Sequence, residues 1–247
     1  MIRKLRSRWN QEQIRRAAVC SVGLLALLLA GVAFPTDVNA CPVYYYDYGD
    51  APQDDLHHYW TSGGGAAEHR IISGFHLGGL IDAESDGQPS MLADDDDFIG
   101  GDDEDGITFL MPLTEGEYAN ISAYLTNTAL LTSSVTPTVP TGGGAYLNAW
   151  VDFNGNGNWD DPGEQIFDDW LLSNGENLLS FLVPEGAMLG DTYARFRLNS
   201  GGGLMYNGAA IDGEVEDYLI SIVPEPAALS LMALGLTGLA AFRRLCK

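Results

Sequence analysis

Short apolar runs separated by glycine, Asn, Asp and proline recur through the middle of this chain, and they limit its folds more than any other feature. No long amphipathic helical period occurs outside the two ends of the chain. Short runs bounded by turn residues are typical of strands rather than helices. The sequence therefore predicts an all-β architecture between two terminal segments.

Alternation of apolar residues locates individual strands. Within the run 118–125, one face is formed by Ala119, Ile121, Ala123 and Leu125. Within the run 146–153, the inward face is formed by Leu147, Ala149, Val151 and Phe153. This period of two is the signature of a half-buried strand. Further strands are predicted at 69–77, 107–110, 164–167, 178–183, 192–198 and 215–222. About seven short strands suggest an immunoglobulin-like β-sandwich, and a jelly roll fits nearly as well.

Charge is distributed very unevenly along the 247 residues. Between Cys41 and Pro226 lie 32 of the 34 acidic residues but only three of the 12 basic ones, so this segment has a formal charge near −29. The three cations are Arg70, Arg195 and Arg197. Such a field repels nucleic acid, which excludes nucleic-acid binding, and it attracts divalent cations.

The N-terminal residues 1–40 have the order of a secretory signal peptide. Basic residues precede an apolar core at 17–34, and Val38-Asn39-Ala40 supplies small residues for cleavage before Cys41. Lipidation of Cys41 is an alternative, against which the polar residues 35–37 and Asn39 argue. After cleavage the exported domain keeps a single cysteine, so it has no internal disulfide.

The C-terminal residues 223–247 read as a sorting tail. Pro224-Glu225-Pro226 is followed by an apolar run over 227–242 and then by Arg243-Arg244. As a transmembrane helix this run reaches only about 24 Å, against a hydrocarbon core of roughly 30 Å. The tail resembles those of the PEP-CTERM proteins of Gram-negative bacteria. The resemblance implies processing by an exosortase-type membrane protease after transient or lasting anchoring in the inner membrane; an ordinary tail anchor is the alternative.

One segment carries oxygen-bearing side chains at alternate positions. Counted from Asp152 as position 1, oxygens fall at positions 1, 3 and 5, glycine at 6 and Asp160 at 9. This spacing suits Ca²⁺, which needs six to eight oxygens at about 2.4 Å. The predicted ligands are Asp152, Asn154, Asn156, Asp160 and the main-chain carbonyl of Asn158, with Glu164 or Asp161 closing the site. An Asx-rich turn without metal is the alternative.

A second motif is Gly213-Glu214-Val215-Glu216-Asp217-Tyr218, which leads into the last predicted strand. With the calcium loop, residues 194–198 and the upstream segments 47–52 and 82–89, it resembles the GEVEDY domain of bacterial surface proteins. The resemblance implies an extracellular β-sandwich module, placed at 107–222, and not an enzyme of assigned activity. An acidic, loop-rich segment that begins with aromatic residues, at 41–106, precedes this module.

Arg195 and Arg197 lie on one face of their predicted strand. Since they are nearly the only cations among many carboxylates, we expect at least one to pair with Glu214, Glu216 or Asp217. A structural ion-pair cluster is the preferred interpretation. The alternative is that the cluster orders the calcium loop or a ligand surface.

Other residue groups carry weaker signals. The acidic stretch 94–105 suits either further calcium or solvated charge. The spacing of the histidines fits no zinc site, and we expect surface or loop positions for His57, His58, His69 and His76. Core packing is preferred over a role in sugar stacking for Trp150, Trp159 and Trp170.

These patterns predict an exported, calcium-stabilised β-sandwich. The resemblance to PEP-CTERM proteins implies delivery to the cell surface or the exopolysaccharide matrix, where we expect a structural or adhesive role. The sequence shows no nucleophile elbow, catalytic histidine motif or cofactor loop. We therefore expect no enzyme. The alternative function is that of a carbohydrate-binding module or carbohydrate-active enzyme, with extracellular polysaccharide as the partner.

Overall fold

The computed structural model describes residues 44–94, 104–128 and 144–225. Over these residues the chain is all-β and contains no helix, so none there is long and apolar enough to cross a membrane. The predicted signal helix, Cys41, the transmembrane helix and most of the acidic stretch 94–105 lie outside the described residues.

Twelve strands follow one another along the described chain. They are β1 (Tyr46–Tyr48), β2 (Glu68–Arg70), β3 (Phe75–Leu77), β4 (Ile107–Phe109), β5 (Leu113–Thr114), β6 (Tyr118–Asn127), β7 (Tyr146–Val151), β8 (Gln165–Leu171), β9 (Gly175–Leu182), β10 (Gly190–Asn199), β11 (Ala209–Ala210) and β12 (Glu214–Val223). The single strand predicted at 69–77 is wrong. A turn in which Gly74 has φ +77° divides it, so β2 and β3 join different sheets.

Two sheets pack over one hydrophobic core as a sandwich. The five-stranded sheet has the order β5-β12-β10-β7-β8. In the four-stranded sheet, β9 pairs with one edge of β6, while β3 and β4 pair with successive parts of its other edge. Phe196 and Ile222 of the first sheet share the core with Ile121 and Phe181 of the second. The predicted inward residues of β6 and β7 are all buried.

The central strands of the five-stranded sheet are buried on both faces, whereas the edge strand β8 is largely exposed. On β10, Ala194 and Phe196 face the shared core, whereas Arg195 and Arg197 point the other way and are also fully buried. Residues 45–94, which we call the cover, lie over this second face, and their strands β1 and β2 form a small sheet with β11 in the order β1-β2-β11. The cover also contributes β3 to the sandwich. A segment predicted as loop-rich thus helps to bury the polar side of the central strands.

Candidate functional site

The loop 152–164 joins β7 to β8 and contains the predicted calcium ligands. Gly155 and Gly157 have φ values of +66° and +84°, which glycine adopts without strain. A Cβ on Gly157 would lie 2.3 Å from the carbonyl oxygen of Leu56. The N–H of His58 donates to the Gly157 carbonyl at 2.6 Å. The loop therefore packs directly against the cover.

Asp152 is the fully buried first residue of this loop. Its Oδ1 accepts hydrogen bonds from the backbone N–H groups of Gly155 (2.6 Å) and Asn156 (3.2 Å). Its Oδ2 accepts from the N–H of Gly157 (2.9 Å) and from the hydroxyl of Tyr59 (2.6 Å). Four donors around one carboxylate hold both of its oxygens in place within the loop.

Three asparagines follow Asp152 at alternate positions. The side-chain oxygens of Asn154, Asn156 and Asn158 each accept a hydrogen bond from the backbone N–H two residues later, at 3.0, 3.2 and 3.0 Å. Each of these contacts is an Asx turn. The loop thus contains the tight turns that its Asn-Gly repeats suggest.

The two neighbouring acids Asp160 and Asp161 have different surroundings. Asp161 accepts hydrogen bonds from the side-chain amides of Asn154 (2.9 Å) and Asn156 (2.5 Å). Asp160 instead interacts with Tyr206, where burial and then this carboxylate raise the pKa of the phenol. Of the two carboxylates, that of Asp161 is the one that accepts hydrogen bonds from the loop asparagines.

Glu164 ends the loop and is only 2% exposed. Its Oε2 accepts from the N–H of Asp161 at 3.3 Å. Its Oε1 is buried and has no hydrogen-bond partner among the described residues. Burial and then the negative charge of Asp152 raise the pKa of Glu164 to about 7. Two buried carboxylates that repel each other, one with an unpartnered oxygen, favour the presence of a cation.

The side chain of Glu164 lines a cavity whose oxygen atoms are candidate calcium ligands. This cavity of about 200 Å³ beside the loop is lined by Asn154, Asp161, Glu164 and Glu185, among others. Within the described ranges, no group of three or more His, Cys, Asp or Glu side chains is placed to hold a metal ion. Amide and main-chain oxygens would have to complete the site. Calcium accepts such oxygens, so the donor set of this loop fits it.

A second polar cluster joins β10 and β12 to the cover. Arg195 and Asp217, both fully buried, form a two-pronged ion pair, with Nε donating to Oδ1 at 2.6 Å and Nη2 to Oδ2 at 2.5 Å. The guanidinium also lies 4.6 Å from the ring centroid of Trp159. Asp217 Oδ2 accepts from the N–H groups of Asp50 (2.9 Å) and Ala51 (2.8 Å). One carboxylate thus neutralises the arginine and fastens the cover.

Glu214 and Glu216, at the start of β12, point to the opposite face of the sheet from Asp217. Oxygens of Glu214 and Glu216 accept from the N–H groups of Leu77 (2.5 Å) and Gly106 (2.9 Å), at β3 and just before β4. Alternate residues of a strand point to opposite faces, so Glu214 and Glu216 bind the four-stranded sheet while Asp217 binds the cover. The acidic pattern at 214–217 is therefore a clamp between three parts of the fold.

Arg197 is held differently from Arg195. It donates to the carbonyls of Met205, Asn207 and Gly208 and, through Nε, to Nε2 of His69 at 2.9 Å. The Nδ1 of His69 contacts the carbonyl oxygen of Asp212 at 2.9 Å. This arrangement requires a neutral imidazole that carries its proton on Nδ1. Burial and the charge of Arg197 keep the pKa of His69 well below its usual value.

Comparisons with known protein families match two adjacent segments of the chain. Residues 146–221 match the GEVED domain, and residues 223–244 match the PEP-CTERM protein-sorting motif. The chain carries a GEVED domain followed by a PEP-CTERM sorting motif. The motif implies export and membrane anchoring before processing by an exosortase. Neither a curated protein nor a solved structure matched the chain.

The GEVED match runs from the start of β7 into β12, so β1–β6 lie before it. The PEP-CTERM motif begins at the last residue of β12, where Val223 pairs with Thr114 of β5. Pro224 and Glu225 follow directly, while Pro226, Arg243 and Arg244 lie outside the described residues. The sorting motif therefore starts at the edge of the folded domain.

The structure places some single residues differently from the positions expected from the sequence. His69 and His76 are buried in strands, so the expected surface or loop positions are wrong for these two. Trp150 and Trp159 are buried, as preferred from the sequence, but Trp170 is 51% exposed. Sequence reasoning missed Tyr59 as the partner of Asp152. The two residues are 93 positions apart, and no local pattern links them.

Proposed function

We propose that this is a non-enzymatic surface protein whose GEVED domain is stabilised by calcium and which has a structural or adhesive role. Its destination would be the cell surface or the exopolysaccharide matrix. The PEP-CTERM motif supports the destination, because it marks an exported, surface-directed protein. The observation that carries the calcium proposal is the buried, unpartnered Oε1 of Glu164 beside Asp152.

A bound calcium ion would relieve the repulsion between the two buried carboxylates of the loop. Asp152 and Glu164 would supply negative charge, and Asn154 and Asn156 would supply amide oxygens. The main-chain carbonyl of Asn158 and an oxygen of Asp160 or Asp161 would complete the set. Because Asp152 also bonds to Tyr59 of the cover, an ion here would stabilise the loop and the cover together.

A thermal unfolding experiment tests the metal. The full-length chain in neutral detergent is melted in excess EGTA and in increasing Ca²⁺, and we expect the melting temperature to rise with Ca²⁺. At a hundred times the dissociation constant the ion contributes about 2.7 kcal/mol. Glu164→Gln should raise the melting temperature in EGTA, since the repulsion is removed, and should abolish most of the calcium response.

Asp168→Asn is the matched control, because it removes the same charge from an exposed position of β8. It should leave the calcium response unchanged. A wild-type melting temperature that is the same in EGTA and Ca²⁺ would contradict the proposal, as would an equal response in the Glu164→Gln variant.

The destination is tested by mass spectrometry of protein extracted from the cell surface. We expect the chain to lack the residues that follow the Pro-Glu-Pro motif. Recovery of an intact 227–247 segment would instead show that the tail is a lasting membrane anchor.

A further inference from the structure

The outward face of the four-stranded sheet carries little charge for such an acidic protein. The outward residues of β6, which alternate with its buried residues, are Tyr118, Asn120, Ser122, Tyr124 and Thr126. The outward residues of β9 are Glu176, Leu178, Ser180 and Leu182. Among these described positions Glu176 is the only acidic or basic side chain. A face depleted of charge and rich in exposed tyrosine and leucine is typical of an interaction surface.

One end of this face forms a groove. Its volume is about 490 Å³, within the usual range of small-ligand sites. The backbone of three glycines forms one wall. Polar side chains and one half-exposed aromatic ring form the remainder: Asp105, Thr108, Ser122, Tyr124, Thr126 and Glu176. The groove is open and polar, with a single aromatic ring as its apolar surface.

The polar side chains of the groove are fixed by contacts with one another and with its walls. The hydroxyl of Ser122 donates to Oε1 of Glu176 at 3.0 Å. The N–H of Gly79 donates to Oδ1 of Asp105 at 2.8 Å, and the hydroxyl of Thr126 donates to the carbonyl of Gly78 at 2.5 Å. A carboxylate accepts about four hydrogen bonds, so both acids keep capacity for a ligand. The site is therefore organised before any ligand arrives.

This combination suits a pyranose ring. The C–H face of a sugar packs on an aromatic ring, while its hydroxyl groups donate strong hydrogen bonds to carboxylates. Tyr124 supplies the ring, and Asp105 and Glu176 supply the acceptors. We infer that this groove binds neutral polysaccharide through Tyr124. The inference rests on the proposed extracellular destination, where such chains occur, but not on the bound calcium.

Charge argues against two other occupants. Anionic polysaccharides would meet Asp105 and Glu176 in the groove and a formal charge near −29 over residues 41–226. A second copy of the chain would bring the same charge and would be repelled. A neutral polysaccharide rich in hydroxyl groups is not repelled by these carboxylates.

Affinity electrophoresis tests the inference. The full-length chain in neutral detergent is run through gels that contain dextran, mixed-linkage β-glucan, xylan or galactomannan, with alginate as the anionic comparison. We expect retardation by at least one neutral polysaccharide and none by alginate. Tyr124→Ala should weaken this binding about tenfold. Thr108→Arg, which places a bulky cation in the groove, should weaken it as well.

Tyr118→Ala is the matched control. Tyr118 is exposed on the same strand face but lies six residues away, about 20 Å along β6. Its variant should bind as the wild type does. The inference is overturned if none of the four neutral polysaccharides retards the chain, if alginate binds equally, or if Tyr124→Ala and Thr108→Arg both bind normally. It is also overturned if sedimentation shows a dimer that Tyr124→Ala dissociates.

Each binding measurement is made in both Ca²⁺ and EGTA. Binding to a neutral polysaccharide without any calcium response would overturn the metal proposal and support the groove. A calcium response without binding to any of the neutral polysaccharides would support the metal proposal and overturn the groove.

Discussion

The outward faces of the two sheets of the sandwich differ in their exposure to solvent. On β10 the outward side chains of Arg195 and Arg197 are fully buried beneath the cover, whereas Tyr124 on β6 remains about half exposed. On both strands these outward residues alternate with residues that face the same hydrophobic core. The difference shows that an outward strand position does not decide exposure. Contacts with a distant part of the chain decide it.

The covered face is held by polar contacts to carboxylates and arginines and by a buried cluster that joins Tyr59 of the cover to Trp150 and Tyr193. A buried ion pair gains little net stability over apolar packing of equal size, but loss of one partner is costly. The carboxylate of Asp217 accepts from Arg195 and from two backbone N–H groups of the cover. The clamp therefore gives the cover one defined position. The open face has no such constraint and is free to meet a ligand.

The largest effect is expected from breaking the clamp. Asp217→Ala leaves the buried guanidinium of Arg195 without its counter-charge and two N–H groups of the cover without an acceptor. We expect a loss of about 3–5 kcal/mol in the free energy of unfolding, measured by urea denaturation. Asp168→Ala on exposed β8 should cost under about 0.5 kcal/mol. Equal losses in the two variants would show that the clamp is not what holds the cover.

A smaller effect should follow from separating the cover from the loop. Tyr59→Phe removes one hydroxyl, which donates to the buried Asp152 at 2.6 Å. A hydrogen bond to a charged group contributes about 1.5–3 kcal/mol, so we expect a loss of that size in urea. The calcium affinity should fall too, because Asp152 would be less firmly placed. Tyr45→Phe, at an exposed tyrosine, is the control and should change neither quantity.

Acid should weaken the covered face through His69. Its pKa is held well below 6.5 by burial and by Arg197, so the unfolded chain takes up a proton that the folded chain does not. Stability is therefore complete above pH 6.5 and falls as the pH drops below it, by up to about 1.4 kcal/mol per pH unit. The wild type should lose more stability between pH 7.5 and 5.5 than the His69→Gln variant.

Glu164 titrates in the same pH range, and its raised pKa has the opposite effect on stability. The effect of His69 is therefore measured as the difference in stability between the wild type and the His69→Gln variant. His58→Gln, at an exposed position, serves as the control. Parallel pH profiles for the wild type and His69→Gln would contradict a neutral, buried His69.

The smallest effect on stability is expected on the open face. Tyr124→Ala and Tyr118→Ala alter exposed side chains outside the core, and each should change the free energy of unfolding by no more than about 0.5 kcal/mol. A loss as large as that of Asp217→Ala would mean that the open face is also structural. The same urea series checks this point.

Local pattern was sufficient for much of this fold. The alternating residues of β6 and β7, and the turn residues after Asp152, predict strands and a hairpin that the structure contains. The pairing of Arg195 with an acid of 214–217 was also expected, since nearly every other ionised group was a carboxylate. These features depend on neighbours in sequence or on simple charge balance.

Other features were beyond the reach of local pattern. The sequence alone predicted most strands of the sandwich, the acidic clamp residues, the asparagine loop and the sorting tail, because each depends on adjacent residues. It did not predict β1, β5 or β11, and it merged β2 with β3. Only the tertiary structure decided that Tyr59 reaches Asp152, that His69 is a neutral partner of Arg197, and that Tyr124 stays open to solvent. The physical reason is that burial is set by long-range packing. Identical strand periodicity leaves one sheet covered and the other exposed.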